Sequence, residues 1–233
     1  MKIYNKLFIG IFSLCAFVNA QAIALTNGNV SKSESAGTVT ETYTVSSYSS
    51  SFTIILTIGS ESTGSTGSDF SGTFIENYGT ANDGQIPVSG NGAFNVSYTL
   101  LDDNIDEENE TLLIVQSNTG GIASATKTVT IIDNDDAPTM AFAATTGTDG
   151  ENTGWTYFTV SLSHASSRST LPAYTISIGG GSTMTGGGTD YNALSPTSYT
   201  FNSGSTTDQF SIYIQDDALD ENDETIIFTI ATN

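Results

Sequence analysis

Leu101-Asp-Asp-Asn-Ile-Asp-Glu-Glu-Asn-Glu-Thr111 recurs 114 positions later as Gln215-Asp-Asp-Ala-Leu-Asp-Glu-Asn-Asp-Glu-Thr225. Two more landmarks recur in the same order. Gly67-Ser-Asp69-Phe70 returns as Gly188-Thr-Asp190-Tyr191, and Glu34 in Ser33-Glu-Ser-Ala-Gly37 returns as Glu151 in Gly150-Glu-Asn-Thr-Gly154. Three landmarks at nearly constant offset define a tandem duplication. Pro138, in Asp136-Ala-Pro-Thr139, marks the joint, so the copies run from 23 to 136 and from 139 to 233.

Between the landmarks each copy reads as strands. Phe52, Ile54, Leu56 and Ile58 alternate with polar or outward residues, as do Phe94, Val96, Tyr98 and Leu100. In the second copy Phe158, Val160 and Leu162 alternate in the same way, and so do Phe210, Ile212 and Ile214. A period of two with β-branched residues on the outer face belongs to half-buried antiparallel strands. Short strands separated by Gly, Ser and Asn clusters, in copies of about 110 residues, predict an all-β chain of tandem immunoglobulin-like antiparallel β-sandwiches. Copy one closes with Thr126-Lys-Thr-Val-Thr-Ile-Ile-Asp-Asn-Asp-Asp136, a strand followed by acids. The matching strand of copy two would lie past residue 233, so the second sandwich is expected to lack its last strand.

At the other end, Lys6 precedes twelve apolar or small residues, Leu7 to Val18, and Val18-Asn-Ala20 supplies small residues at the positions a signal peptidase reads. Residues 1–20 are predicted to be a secretory signal peptide. Twelve residues are too few to span a bilayer, and no later stretch is long and apolar enough. The expected location is outside the cell or in the cell envelope. The whole chain has 25 acidic and 5 basic residues, one His and one Cys. Lys2, Lys6 and Cys15 leave with the leader. Such a polyanion cannot neutralise phosphates, which excludes nucleic acid. Without cysteines there are no disulfides, thiol catalysis or zinc fingers, and a serine triad would rest on His164 alone. Carboxylate chemistry remains, either hard-cation binding or acid/base catalysis.

The acids are not spread evenly. Six lie in 102–110, three in 133–136 and six in 216–224. Crowded carboxylates repel one another unless a cation joins them. Calcium accepts six to eight oxygens in irregular loops, whereas magnesium demands a tighter octahedron and is the second choice. The spacing is not that of an EF-hand. Adjacent Asp pairs also have a purely local use, capping turns through side-chain to backbone bonds.

Together the acidic motif, the upstream Gly-Ser-Asp-Phe and the closing Thr-Val-Thr-Ile-Ile-Asp-Asn-Asp resemble the Calx-beta domain of sodium/calcium exchangers, large bacterial surface proteins and integrin beta-4. The resemblance covers nearly all of the chain after the leader. It implies a seven-stranded immunoglobulin-like sandwich that holds clustered Ca²⁺ in its tip loops. Carried over by position, the implied ligands in copy one are Glu34, Asp69, Asp102, Asp103, the carbonyl of Ile105, Glu107, Glu110, Asp133 and Asp135. Asn134 stands where the exchanger has a further carboxylate, which implies a weaker ion there. In copy two the implied ligands are Glu151, Asp190, Asp216, Asp217, the carbonyl of Leu219, Glu221 and Glu224, without the closing cluster. The function so implied is a calcium-binding module of an exported or surface protein, with a structural, adhesion or cell-communication role and with neighbouring repeats or surface proteins as partners. Two other readings stay open: an extracellular glycoside hydrolase using a carboxylate pair about 5–10 Å apart, and a metal-free stalk or adhesin spacer.

Overall fold

The structure is a computed structural model that describes residues 21–25, 28–76 and 83–232. The expected signal peptide lies outside the described residues. The first copy contributes β1 (Ala22–Leu25), β2 (Val30–Ser33), β3 (Thr38–Ser46), β4 (Phe52–Ile58), β5 (Ile75–Glu76), β6 (Gln85–Val88), β7 (Gly92–Thr99), β8 (Ile105–Asp106), β9 (Glu110–Asn118) and β10 (Ala125–Ile132). The second contributes β11 (Met140–Phe142), β12 (Trp155–Leu162), β13 (Ala165–Ser166), β14 (Ala173–Ile178), β15 (Ser198–Thr200), β16 (Thr207–Tyr213) and β17 (Phe228–Thr232).

In the first sandwich a sheet ordered β1-β3-β7-β5 faces one ordered β2-β10-β9-β4-β6. All ladders are antiparallel except β2 with β10, which run parallel from Val30 beside Val129 to Ser33 beside Ile132. Alternation decides what meets in the middle. On β3 Val39, Tyr43 and Val45 point inward, and with Val96 and Tyr98 they pack against Ile54, Leu56, Leu112, Ile114, Val129 and Ile131 of the other sheet. Each aliphatic side chain buried this fully contributes about 1.5–3 kcal/mol. The intervening threonines of β3 face out and bond across to β7: Thr38 with Thr99, Thr40 with Ser97 and Thr42 with Asn95.

The second sandwich repeats the plan with β11-β12-β16 against β15-β14-β17. Its separate core is aromatic: Phe158, Phe210 and Phe228 pack together, and Tyr174 stacks on Tyr199. Among the described residues β17 is the edge of its sheet. Trp155 and Tyr157 lie on the exposed face of β12, with Trp155 edge-on to Tyr213 at 5.4 Å.

The same backbone frame converges on the acidic loops in both copies. In the first, Leu100 N–H donates to Gly37 C=O (2.9 Å) and Leu101 N–H to Asp69 C=O (3.0 Å). In the second, Ile214 donates to Gly154 (2.8 Å) and Gln215 to Asp190 (2.9 Å). Gly37 and Gly154 each close a one-turn 3-10 helix, Glu34–Ala36 and Glu151–Thr153, at φ of 64° and 75°. Side chains rarely tolerate that conformation, which explains a glycine at both sites.

Candidate metal centre

The tip of the first sandwich collects its acids from four separate segments. The 3-10 turn brings Glu34, the loop after β4 brings Asp69, the β7–β9 connection brings residues 102–110, and the end of β10 brings Asp133 and Asp135. Two carboxylate trios result: Glu34 with Asp133 and Asp135, and Asp69 with Glu107 and Glu110. Within each trio one oxygen per residue lies within 4.8 Å of the others. Glu34 is 5 % and Asp69 8 % exposed.

Burial and crowding leave their mark on these acids. Glu34 is pushed up to about 7 by burial and by the charges of Asp133, Asp135 and Asp103. Glu110 is pushed up to about 8 by burial and by its bond and proximity to Asp69. Burial also raises Glu107, against the lowering effect of a hydrogen bond from Ser167. Glu34 Oε1 and Asp135 Oδ2 are buried without any hydrogen-bond partner. Buried oxygens of this kind are costly unless something satisfies them. Carboxylate oxygens that crowd together, with two left unpaired, are the donor set that a hard divalent cation takes.

The remaining expected ligands of copy one border these trios. Asp103 raises Glu34 and Glu107 by its charge, while its Oδ1 accepts the Ile105 N–H at 2.8 Å. The local turn-capping use of the Asp pair is therefore present alongside the cluster. Asp102 is exposed and is held by Asn134, whose Nδ2 donates to Asp102 Oδ1 (3.3 Å) while its Oδ1 accepts from Ser33 Oγ (2.7 Å) and Ser35 N–H (3.3 Å). Asn134 thus ties the 3-10 turn to the closing cluster where a third carboxylate would add charge. Ile105 lies in β8, which pairs in parallel with β13 of the second copy.

In the second copy Asp190, Glu221 and Glu224 form one trio, more exposed than the first two. Burial and then the charge of Asp190 raise both glutamates, with Glu151 also contributing to each and Asp217 to Glu221. Asp217 Oδ1 caps the Leu219 N–H at 2.6 Å, as Asp103 does for Ile105. Asp216 is exposed and belongs to no trio among the described residues. Asp69 and Asp190 make the same local bond, accepting the N–H of Ser65 and of Thr185.

Several participants were not expected from sequence. Asp106, 2 % exposed, accepts from Ser166 Oγ (2.9 Å) and from the Arg168 guanidinium. Arg168 Nη2 also donates to Asp133 Oδ2 at 2.9 Å. Ser167 Oγ donates to Glu107 (2.6 Å), and Ser169 Oγ donates to Glu108. His164 Nε2 bonds the Asp136 carbonyl at 2.6 Å, across the joint. The second copy therefore touches the acid loop of the first directly. The one available signal was scarcity: Arg168 is one of five Lys and Arg residues in the chain and the only arginine.

Fold and acid clusters together define a tandem of calcium-type sandwich modules, and the family models agree. The Calx-beta domain model matches residues 19–135 and again 133–233. The chain belongs to the Calx-beta domain family, whose members bind Ca²⁺. Among solved structures, CBD12 from CALX1.2 is 20 % identical over 82 % of this chain and 74 % of that one, with a TM-score of 0.41. The apo-form Calx CBD1 domain is 20 % identical over 48 % and 96 %, with a TM-score of 0.39. The E. coli chaperone DraB is 10 % identical over 82 % and 96 %, with a TM-score of 0.36. A search of curated proteins gave no match.

Proposed function

We propose that this chain is a non-catalytic, exported structural module whose tip loops are made rigid by Ca²⁺. The observation that carries this is the pair of partly buried trios in the first copy, with the orphaned oxygens of Glu34 and Asp135. In this reading Glu34, Asp69, Asp102, Asp103, the Ile105 carbonyl, Glu107, Glu110, Asp133 and Asp135 hold ions in copy one. Glu151, Asp190, Asp216, Asp217, the Leu219 carbonyl, Glu221 and Glu224 hold a lesser site in copy two. Bound Ca²⁺ would supply positive charge and accept the oxygens of these carboxylates and carbonyls as ligands. The chain supplies four segments, already joined by hydrogen bonds such as those of Asn134 with Ser33, Ser35 and Asp102 and of Glu107 N–H with Asp133. Because Arg168, Ser167 and Ser169 reach the same loop, order at the first tip extends into the joint with the second copy.

An ion that binds only the folded state adds RT ln(1 + [Ca]/Kd), about 2.7 kcal/mol at a hundredfold excess over Kd. The expected result is a higher Tm in calcium than in chelator and a calorimetric binding signal, both much reduced in Glu34→Gln and Asp133→Asn. Equal melting in calcium and chelator, with no heat of binding, overturns the reading and leaves the metal-free spacer. The exported location rests on the leader sequence. N-terminal sequencing of the protein recovered from the envelope or medium is expected to begin at Gln21 or close to it. An intact Met1 terminus on a cytoplasmic chain would refute it.

A further inference from the structure

The interior of the first sandwich holds a charged pair that the metal reading does not use. Glu41 of β3 and Lys127 of β10 come from opposite sheets and meet in the core, with side chains 4 % and 2 % exposed. Although Lys127 Nζ touches Glu41 Oε2, neither atom has a hydrogen bond of ordinary geometry to any described residue. The other oxygen, Glu41 Oε1, accepts from the Tyr98 hydroxyl at 3.2 Å. Such a pair is a poor way to fill a core, since an apolar replacement of similar volume is often as stable or more so. The second copy supplies that comparison. Gly37 and Gly154 occupy the same place in the two frames, so Phe158 stands where Glu41 does, and it packs on Phe210 and Phe228. The fold therefore does not require an acid at this position.

We infer that Lys127 and Glu41 are the two halves of an intramolecular amide cross-link that ties the facing sheets of the first sandwich together. The chemistry is a condensation within the contact pair. The ammonium gives one proton to the carboxylate, and the freed lone pair on Nζ attacks Glu41 Cδ. Negative charge gathers on Oε1, where the Tyr98 hydroxyl donates. A second proton from nitrogen passes to Oε2, the Cδ–Oε2 bond breaks, and water leaves as the amide carbonyl re-forms. An ammonium and a carboxylate thus become one amide and one water, with no change of oxidation state. Burial, followed by the nearby Glu41 charge, pushes the Tyr98 phenol up, so it stays protonated and able to donate. A partly open pocket of about 200 Å³ lined by Tyr43, Gln116 and Lys127 reaches the lysine from its outer side and gives the released water a way out. Exclusion of bulk water from the core opposes the reverse hydrolysis, and the ionic pair loses its burial penalty once it becomes a neutral amide.

The test is mass spectrometry of the purified, unfolded chain, with its N-terminus fixed by sequencing. The expected mass is about 18 Da below that of the sequence, one water. Tryptic digestion is expected to leave the bond after Lys127 uncut and to yield a branched peptide joining the segments around Glu41 and Lys127. The size-conserving Lys127→Met is expected to restore the full sequence mass. Tyr98→Phe, which keeps the ring in the core, is expected to lower the cross-linked fraction at matched times after synthesis. A wild-type chain of full mass, cut normally after Lys127, overturns the proposal. A deficit of about 17 Da, one ammonia, with the branch on Gln116 also overturns it, because it assigns the acyl group elsewhere. The wild-type measurement needs no variant to fold and does not depend on calcium.

Discussion

Glu34 shows what a single residue at the tip is asked to tolerate. Buried beside Asp133 and Asp135, it holds its proton up to about 7, and Glu110 does so up to about 8, whereas in the unfolded chain both titrate near 4.5. The sign follows from linkage. Between about pH 4.5 and 8 the metal-free folded state binds more protons than the unfolded state, so its stability is greatest at the acid end and falls as pH rises through that window. In chelator, the Tm at about pH 5 is expected to exceed that at about pH 8. Protons and Ca²⁺ compete for the same oxygens, so the calcium-induced rise in Tm is expected to be larger at the higher pH. Glu34→Gln flattens the slope in chelator, whereas a slope unchanged by that variant would mean the acid is not the group responsible. At this scale the sequence was informative where residues repeat: Glu34, Asp69, Glu107 and Glu110 and their copy-two trio counterparts lie in duplicated motifs, whereas Asp133 and Asp135, which have no counterpart in copy two, were named only through the family resemblance. Asp106 and Arg168 could not be named, because their pairing joins different copies through folded backbone and leaves no local spacing to read.

Among the elements, long alternating strands were legible and short ones were not. β4, β7, β12 and β16 show apolar residues at period two in the sequence, enough to mark them as strands, whereas β3 was not read as one. β8 and β13 have two residues each and pair only with one another, so nothing in either segment marks it as a strand. Glu41 is a different case. It sits at an inward position of β3 where the alternation asks for an apolar residue, and its partner Lys127 lies on the facing sheet. The two cores are separate, which makes their stabilities separable. Phe210 lies against Phe142, Phe158, Tyr199 and Phe228. Phe210→Ala is expected to cost the second sandwich about 3–5 kcal/mol. Hydrogen exchange should then show faster amides in β12, β14 and β16, with β3, β7 and β9 unchanged. Equal loss of protection in both copies would show that they unfold as one unit.

For the molecule as a whole, a net charge of −20 is concentrated in the loops more than on the strand faces. Repulsion between acids this close is screened only when the Debye length is short, about 10 Å at 0.1 M salt and about 3 Å at 1 M. In chelator, raising sodium chloride from about 0.01 M to about 0.5 M is therefore expected to raise the Tm, and in saturating calcium the same change is expected to do much less. A salt response of equal size in both conditions would place the repulsion outside the calcium loops. The tandem plan was readable from the landmarks, whereas the contacts across the joint were not. These come from a serine-rich stretch, Ser166 to Ser169, whose composition suggests only a linker.

The parallel pairing of β2 with β10 gives the first sandwich a mechanical character. The chain enters this sheet through β2 and leaves toward the second copy from the end of β10, and the two strands run side by side in the same direction. Tension between those two points pulls the strands past each other along their length. Their four paired positions, Val30 to Ser33 against Val129 to Ile132, then bear the load together instead of opening one after another as a hairpin would. A sandwich threaded in this way resists stretching more than its thermal stability alone would suggest.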